Sequence, residues 1–193
     1  MTSPKFIQLA AAALILAVLV NFAGKALASS LNSNSPTVAL NATLGESLTV
    51  SSTVSTVNFT LVSGTTVAGS AAVPITTSWV LLPTRTSVAL YGFFSSSTAA
   101  LTNGLATPSN IPSSDVLGQV TTGSPTTFTA FSQTNSGFGA ASASLLLFNQ
   151  SVSYGGANFV STRTDNLNLE INTPSTLPAG TYTGTLTLQA QAN

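Results

Sequence analysis

Six charged side chains follow residue 28 of this chain: Arg85 and Arg163, with Glu46, Asp115, Asp165 and Glu170. Histidine and cysteine are absent, and the two lysines, Lys5 and Lys25, both precede that point. Enzymes draw on tunable proton carriers, activated nucleophiles or metal cages. A serine nucleophile needs a base, and no histidine exists to serve as one. A serine–lysine dyad is lost once the lysines leave with the leader described below. Asp165 and Glu170 are an odd number of residues apart, so a strand puts them on opposite faces. A paired-carboxylate site of the glycosidase kind then requires Asp115 or Glu46 to meet one of them in space. Calcium on Asp165, Asn166 and carbonyls would lack the D-x-D-x-D-G loop that builds such sites. The inventory reads as non-enzymatic, with no cofactor and no metal.

The remaining candidates have structural explanations. Arg163 shares a strand face with Asp165, and Arg85 lies in a turn-like Pro83-Thr84-Arg85-Thr86, so both arginines are expected in local ion pairs or loop caps. Trp79 and Tyr91 are the side chains most often asked to stack on sugars, but Trp79 alternates with Val73, Ile75 and Leu81 and reads as core. Gly155-Gly156 and Gly137-Phe138-Gly139 lack the lysine or helix context of a phosphate loop. Asn41, Asn58 and Asn149 each open an N-x-S/T glycosylation pattern.

Charged residues make up 4% of the chain. Two arginines cannot form the basic patch that phosphate contacts require, which excludes a nucleic-acid partner. An electrostatic grip on anionic lipid fails for the same reason. A surface of Thr, Ser and Asn with little charge is weakly protected against self-association.

Residues 1–28 read as a secretory signal peptide. Lys5 supplies the positive end, 6–20 is apolar apart from Gln8, and Ala26-Leu27-Ala28 fits the cleavage pattern. The apolar run is short of the roughly 20 residues of a spanning helix. The mature chain is thus expected outside the cell or on its surface, with no integral membrane segment. Lacking cysteine, it must fold on core burial and backbone pairing.

The elements that position these residues are strands. Period-2 alternation recurs with Gly, Pro, Asn and Ser between the runs. Strands are predicted at 48–50, 57–62, 73–82, 88–94, 116–120, 126–131, 145–148, 152–154, 166–172 and 181–191, with a bulge at Gly92. Ile75, Trp79 and Phe59 are candidate core. Loops are expected at 103–114 and 133–143. The spacing argues a single all-β domain at 48–193, a sandwich of immunoglobulin-like or jelly-roll-like type. A flexible leader occupies 29–47.

Within that leader, Val38, Leu40, Ala42 and Leu44 share one face, and Thr37, Ala39, Asn41 and Thr43 the other. Two readings stand. The segment is an ordinary first strand of its own domain, or it is a donor strand that adds to an open sheet edge of a neighbour.

The run Leu177-Pro178-Ala179-Gly180-Thr181-Tyr182-Thr183-Gly184-Thr185-Leu186-Thr187-Leu188 resembles the closing strand of secreted bacterial immunoglobulin-like modules, notably spore-coat U type domains and the pilins of archaic chaperone–usher systems. That resemblance implies an extracellular sandwich that polymerises with itself by donor-strand exchange, handled first by a periplasmic chaperone. The expected function is a structural subunit of a fibre, pilus or matrix. Residues 38–44 are the candidate donor; Tyr182, Leu186 and Leu188 mark the candidate acceptor groove. The alternative is a monomeric surface adhesin that binds glycan or protein through its loops.

Overall fold

Alternation becomes pleat most plainly in β3 (Val73–Val80), where Val73, Ile75, Thr77 and Trp79 all point into the interior. Their branched and aromatic side chains suit a pleated, half-buried surface. Pro74 sits one residue beyond Ile75, the last residue to pair with the flanking strand Ser47–Ser52, so its missing N–H breaks no bond to that strand.

The computed structural model describes residues 33–105, 107, 109–134, 137–153 and 158–193. The predicted signal peptide, and Tyr154 at the end of the strand expected at 152–154, lie outside the described residues. The chain divides into two units, Met1–Ala42 and Thr43–Asn193. In the first, 33–42 carries no regular secondary structure. The second is all-β and antiparallel, with one 3-10 turn at Ser113–Asp115. Among the described residues no helix is long and apolar enough to cross a membrane.

The larger sheet is built on β10 (Val160–Asn172), which presents Asp165, Leu167, Leu169 and Ile171 inward. β10 pairs with β3 on one side and β7 (Val116–Val120) on the other. β1 (Ser47–Ser52) flanks β3, and β8 (Thr129–Ala130) flanks β7. β2 (Thr66–Ala68) joins β10 at Glu170–Asn172, past the start of β3. The smaller sheet places β4 (Ser87–Phe93) between β11 (Thr187–Ala192) and β9 (Ser144–Ser151). β5 (Leu101–Thr102) and β6 (Asn110–Ile111) form a short separate pair, so the predicted 103–114 loop contains a strand.

The inner faces of the two larger sheets meet in one core, an arrangement compatible with a sandwich. Ile75, Trp79, Leu167 and Ile171 come from one sheet, and Val88, Leu90, Leu145 and Leu147 from the other. Each such side chain contributes about 2 kcal/mol on burial. The Trp79 indole N–H donates to the Asn158 carbonyl oxygen at 2.8 Å, so its polar edge is satisfied.

Several strand boundaries differ from the sequence-based expectation. The register of β4 on β9 shifts between Leu90 and Tyr91, which face Phe148 and Leu146. The extra residue is therefore Leu147 on β9, not Gly92. That bulge lets Leu147 and Phe148, adjacent in sequence, both be buried. Gly92 instead leaves room for the Phe131 ring, 3.0 Å from where a Cβ would stand. The strand expected at 126–131 shrinks to Thr129–Ala130. The runs 57–62 and 181–186 keep their alternation of burial but form no ladder, apart from one bridge at Thr183.

Candidate functional site

Those two runs without a ladder are the walls of one groove. β1 ends at Ser52 and the chain continues through 54–61, with Val54, Val57, Phe59 and Leu61 turned inward and Asn58 and Thr60 outward. Its backbone is tied at Val54, whose N–H donates to Ser52 Oγ and whose carbonyl oxygen accepts from it, and at Asn58. The Ser70 N–H donates to the Asn58 carbonyl oxygen at 2.9 Å, and the Asn58 N–H donates to Ser70 Oγ at 3.0 Å. The turn between them closes where the Thr65 N–H meets the Val62 carbonyl oxygen.

The opposite wall is 180–188, the stretch that leads into β11. Tyr182, Leu186 and Leu188 are half-buried there, and Thr181, Thr183, Thr185 and Thr187 are exposed. Thr183 exchanges two backbone hydrogen bonds of 3.0 Å with Thr102. The Tyr182 hydroxyl donates to the Pro178 carbonyl oxygen at 2.8 Å, which fixes the turn before the wall. Gly184 is forced by contact: a methyl group there would run into the Ala100 carbonyl oxygen.

Between the walls lies a hollow of about 690 Å³. Its apolar lining includes Val73, Phe94, Leu101, Val116, Leu169 and Ile171, side chains of the core or packed against it. Among the described residues, the lining holds no carboxylate, arginine or lysine. Such a site can accept apolar side chains and backbone hydrogen bonds.

The residues singled out from sequence fall into three places. Tyr182, Leu186 and Leu188 line the groove. Ile75 and Trp79 are buried at the centre, whereas Phe59 is half-buried and belongs to the groove wall. Val38, Leu40 and Leu44 are 80%, 91% and 79% exposed, and Ala42 is exposed too. No ladder includes 33–46; β1 opens at Ser47. What alternation could not reveal was the partnership of 54–61 with 180–188, since their separation in sequence carries no local signal.

Four of the six charged groups after residue 28 pair in two clusters, none of whose members lines the groove. Glu46 accepts from Arg85 Nε at 3.1 Å and Arg85 Nη2 at 3.0 Å, and from the Leu82 N–H at 2.9 Å. These bonds, the Arg85 side chain first, hold its carboxyl down at about 2. Arg85 is raised in turn, through its hydrogen bond to Glu46. Arg163 Nε meets Asp165 Oδ2 at 2.6 Å, and Arg163 Nη2 meets Oδ1 at 2.8 Å. Asp165 is 1% exposed, and the Thr122 hydroxyl donates to its Oδ1 at 2.7 Å. The guanidinium also lies 4.7 Å from the Phe148 ring centroid. Burial raises the carboxyl of Asp115.

Tyr91 is not an open stacking platform. Phe138, from the 133–143 loop, packs edge-on against it at 5.7 Å and stacks on Phe93 at 5.9 Å. The asparagines of the three glycosylation patterns, Asn41, Asn58 and Asn149, are all exposed. A comparison with protein-family models, curated proteins and solved structures finds no match to this chain.

Proposed function

We propose that this chain is a structural subunit of an extracellular fibre, pilus or matrix, assembled by donor-strand exchange. Residues 38–44 of one copy are the guest, and the groove between 54–61 and 180–188 of the next copy is the host. The groove itself carries the reading: an apolar slot whose walls, apart from the bonds at Val54, Asn58 and Thr183 and the first residues of β11, join no ladder among the described residues. A strand laid between them would supply hydrogen bonds to both edges and fill the floor with alternate side chains.

The guest fits in length and pattern. At about 3.3 Å per residue, 38–44 spans roughly 23 Å, close to the span of 54–61. Val38, Leu40, Ala42 and Leu44 offer one apolar face, and each large side chain buried from water contributes about 2 kcal/mol. Exposed apolar groups on one segment and an exposed apolar slot on another favour association.

An immunoglobulin-like reading of the sandwich rests on Tyr182. A tyrosine near the start of a strand, bonded to a carbonyl a few residues upstream, marks the corner of that fold, and Tyr182 makes such a bond in the stretch that leads into β11. The sheet of an immunoglobulin fold continues past the corner strand, and here the groove takes that place. Export by the predicted signal peptide puts assembly outside the cell, after release from a periplasmic chaperone.

Electron microscopy of the secreted chain, residues 29–193, tests this. Thin regular filaments are expected, and Leu40→Asp should abolish them while circular dichroism and the melting temperature of the subunit stay unchanged. Loss of the fold in Leu40→Asp would make 38–44 an internal strand and sink the proposal.

A further inference from the structure

We propose that this chain also binds a neutral saccharide, in a second hollow along β11 that shares no lining residue with the groove. The Phe138 ring would carry the C–H face of the sugar. The amides of Gln189 and Gln191 and the Glu46–Arg85 pair would bond its hydroxyls.

The hollow follows from the register of the smaller sheet. Gln189 pairs with Tyr91 and Gln191 with Ala89, so both glutamines stand on the outer face with the Tyr91 ring beside them. Phe138 packs on Tyr91 and Phe93 and so comes to line the hollow with the glutamines. None of the three rings belongs to the core cluster. The loop is shaped to hold Phe138 there. Gly137 and Gly139, on either side of it, have φ of 69° and 71°, the left-handed region that favours glycine. A Cβ at 139 would also stand 2.6 Å from the Phe93 ring. The other end of the hollow is the foot of β11. There Arg85 Nη1 donates to the Ala192 carbonyl oxygen at 3.3 Å, and Glu46 grips the same guanidinium. Leu48, Leu81, Ala190 and Ala192 add apolar wall.

Chemistry selects the class of ligand. The volume, about 360 Å³, lies at the lower end for ligand clefts, which run to about 1,000 Å³. The hollow is shallow and open to water, which disfavours a wholly apolar guest. Its one cation and one anion pair with each other, so no net charge selects an ionic guest. Gln189 and Gln191 are exposed, and no described residue bonds their side-chain amides. Each amide offers donors and an acceptor side by side. Arg85 has more donors than its bonds to Glu46 and Ala192 use. The matching guest is uncharged, with neighbouring groups that both donate and accept, and with one apolar face. Adjacent hydroxyls on a pyranose ring have that pattern.

One shallow site of this kind binds weakly. Repeated along a fibre it would hold a polysaccharide far more tightly, and this last step alone rests on the proposed assembly.

Saturation-transfer NMR on the secreted chain, residues 29–193, tests the site whether the protein is monomeric or assembled. The probes are malto-, cello-, xylo- and mannohexaose, with hexagalacturonate as the anionic control. Saturable transfer to the ring protons of at least one neutral hexaose is expected. Gln189→Ala and Gln191→Ala face solvent and should leave the fold intact. Each should weaken binding about fivefold, as loss of a hydrogen bond does. Phe138→Ala should weaken it further. Leu40→Asp, which tests assembly, should leave it unchanged, so the site and the proposed function can fail separately. No transfer to any neutral hexaose, transfer to hexagalacturonate alone, or binding that survives both glutamine substitutions would each overturn the proposal.

Discussion

The Tyr182 hydroxyl reaches back four residues to the Pro178 carbonyl oxygen, 2.8 Å away, and so ties the groove wall to the turn that precedes it. Tyr182→Phe keeps the ring and removes the bond. A loss of about 1 kcal/mol is expected, measured by urea unfolding. Filament yield should fall with it, since the wall at 180–186 has little else to hold its backbone. Unchanged stability would show that the bond is made equally well with water.

Face parity separates donor-strand exchange from general stickiness. Leu40 lies on the apolar face of 38–44 and Ala39 on the other. Leu40→Asp is expected to abolish assembly, and Ala39→Asp to leave most of it, as judged by sedimentation of filaments. Equal loss in both would mean that net charge, not strand pairing, controls association.

The Arg163–Asp165 pair is the one buried charge cluster among the described residues. Asp165→Ala leaves the guanidinium facing Phe148 without its partner, and Thr122 without its acceptor. Breaking such a pair costs about 3–5 kcal/mol. Thermal unfolding should show a drop of many degrees with the strand content of the remaining fold intact.

Acid stability should carry the mark of Glu46. Its carboxyl sits near 2 in the fold, against an ordinary value of 4.5. A carboxylate lowered by folding stabilises the fold fully above its unfolded value, and the contribution is lost as pH falls through the folded one. Stability should therefore stay level in this respect above about pH 5 and decline between about 4.5 and 2. Arg85→Ala should shrink that decline to the part that the Leu82 N–H bond contributes. Asp115, raised by burial, acts in the opposite sense, so Asp115→Asn should deepen the loss on the acid side. Unfolding curves taken from pH 7 to pH 2 on the three proteins check the signs.

Gly184→Ala offers a test of the groove wall that leaves polarity alone. The added methyl meets the Ala100 carbonyl oxygen, so the wall must move. A loss of about 1–3 kcal/mol is expected, the usual cost of overpacking. Denaturant titration reads it, and a neutral result would mean that 184 sits further from 100 than the fold places it.

Much of this molecule was legible residue by residue. The alternation Val73, Ile75, Trp79 marked a strand with a buried face, and β7 was read at its observed bounds. The Arg163–Asp165 pair was readable from a spacing of two on one strand. Arg85–Glu46 was not, because the two lie 39 positions apart and meet only after β1 has docked on β3. The runs at 57–62 and 181–186 misled because alternation reports one dry face and says nothing about backbone partners. The position of the bulge depended on which residue of β9 had to be skipped to keep Phe148 in the core.

By itself, then, the sequence determined the all-β character and the poverty of proton-transfer groups. Both follow from side-chain type and a period of two, which are local properties. Tertiary structure decided which edges pair. β1 finds β3, β11 finds β4, and the stretches just beyond them, 54–61 and 180–186, run on past their ladders and face each other across an apolar floor. The physical reason is that backbone hydrogen bonds are blind to side-chain identity. Which of them stay open is set by how far each neighbouring strand extends, and that is a property of the whole fold.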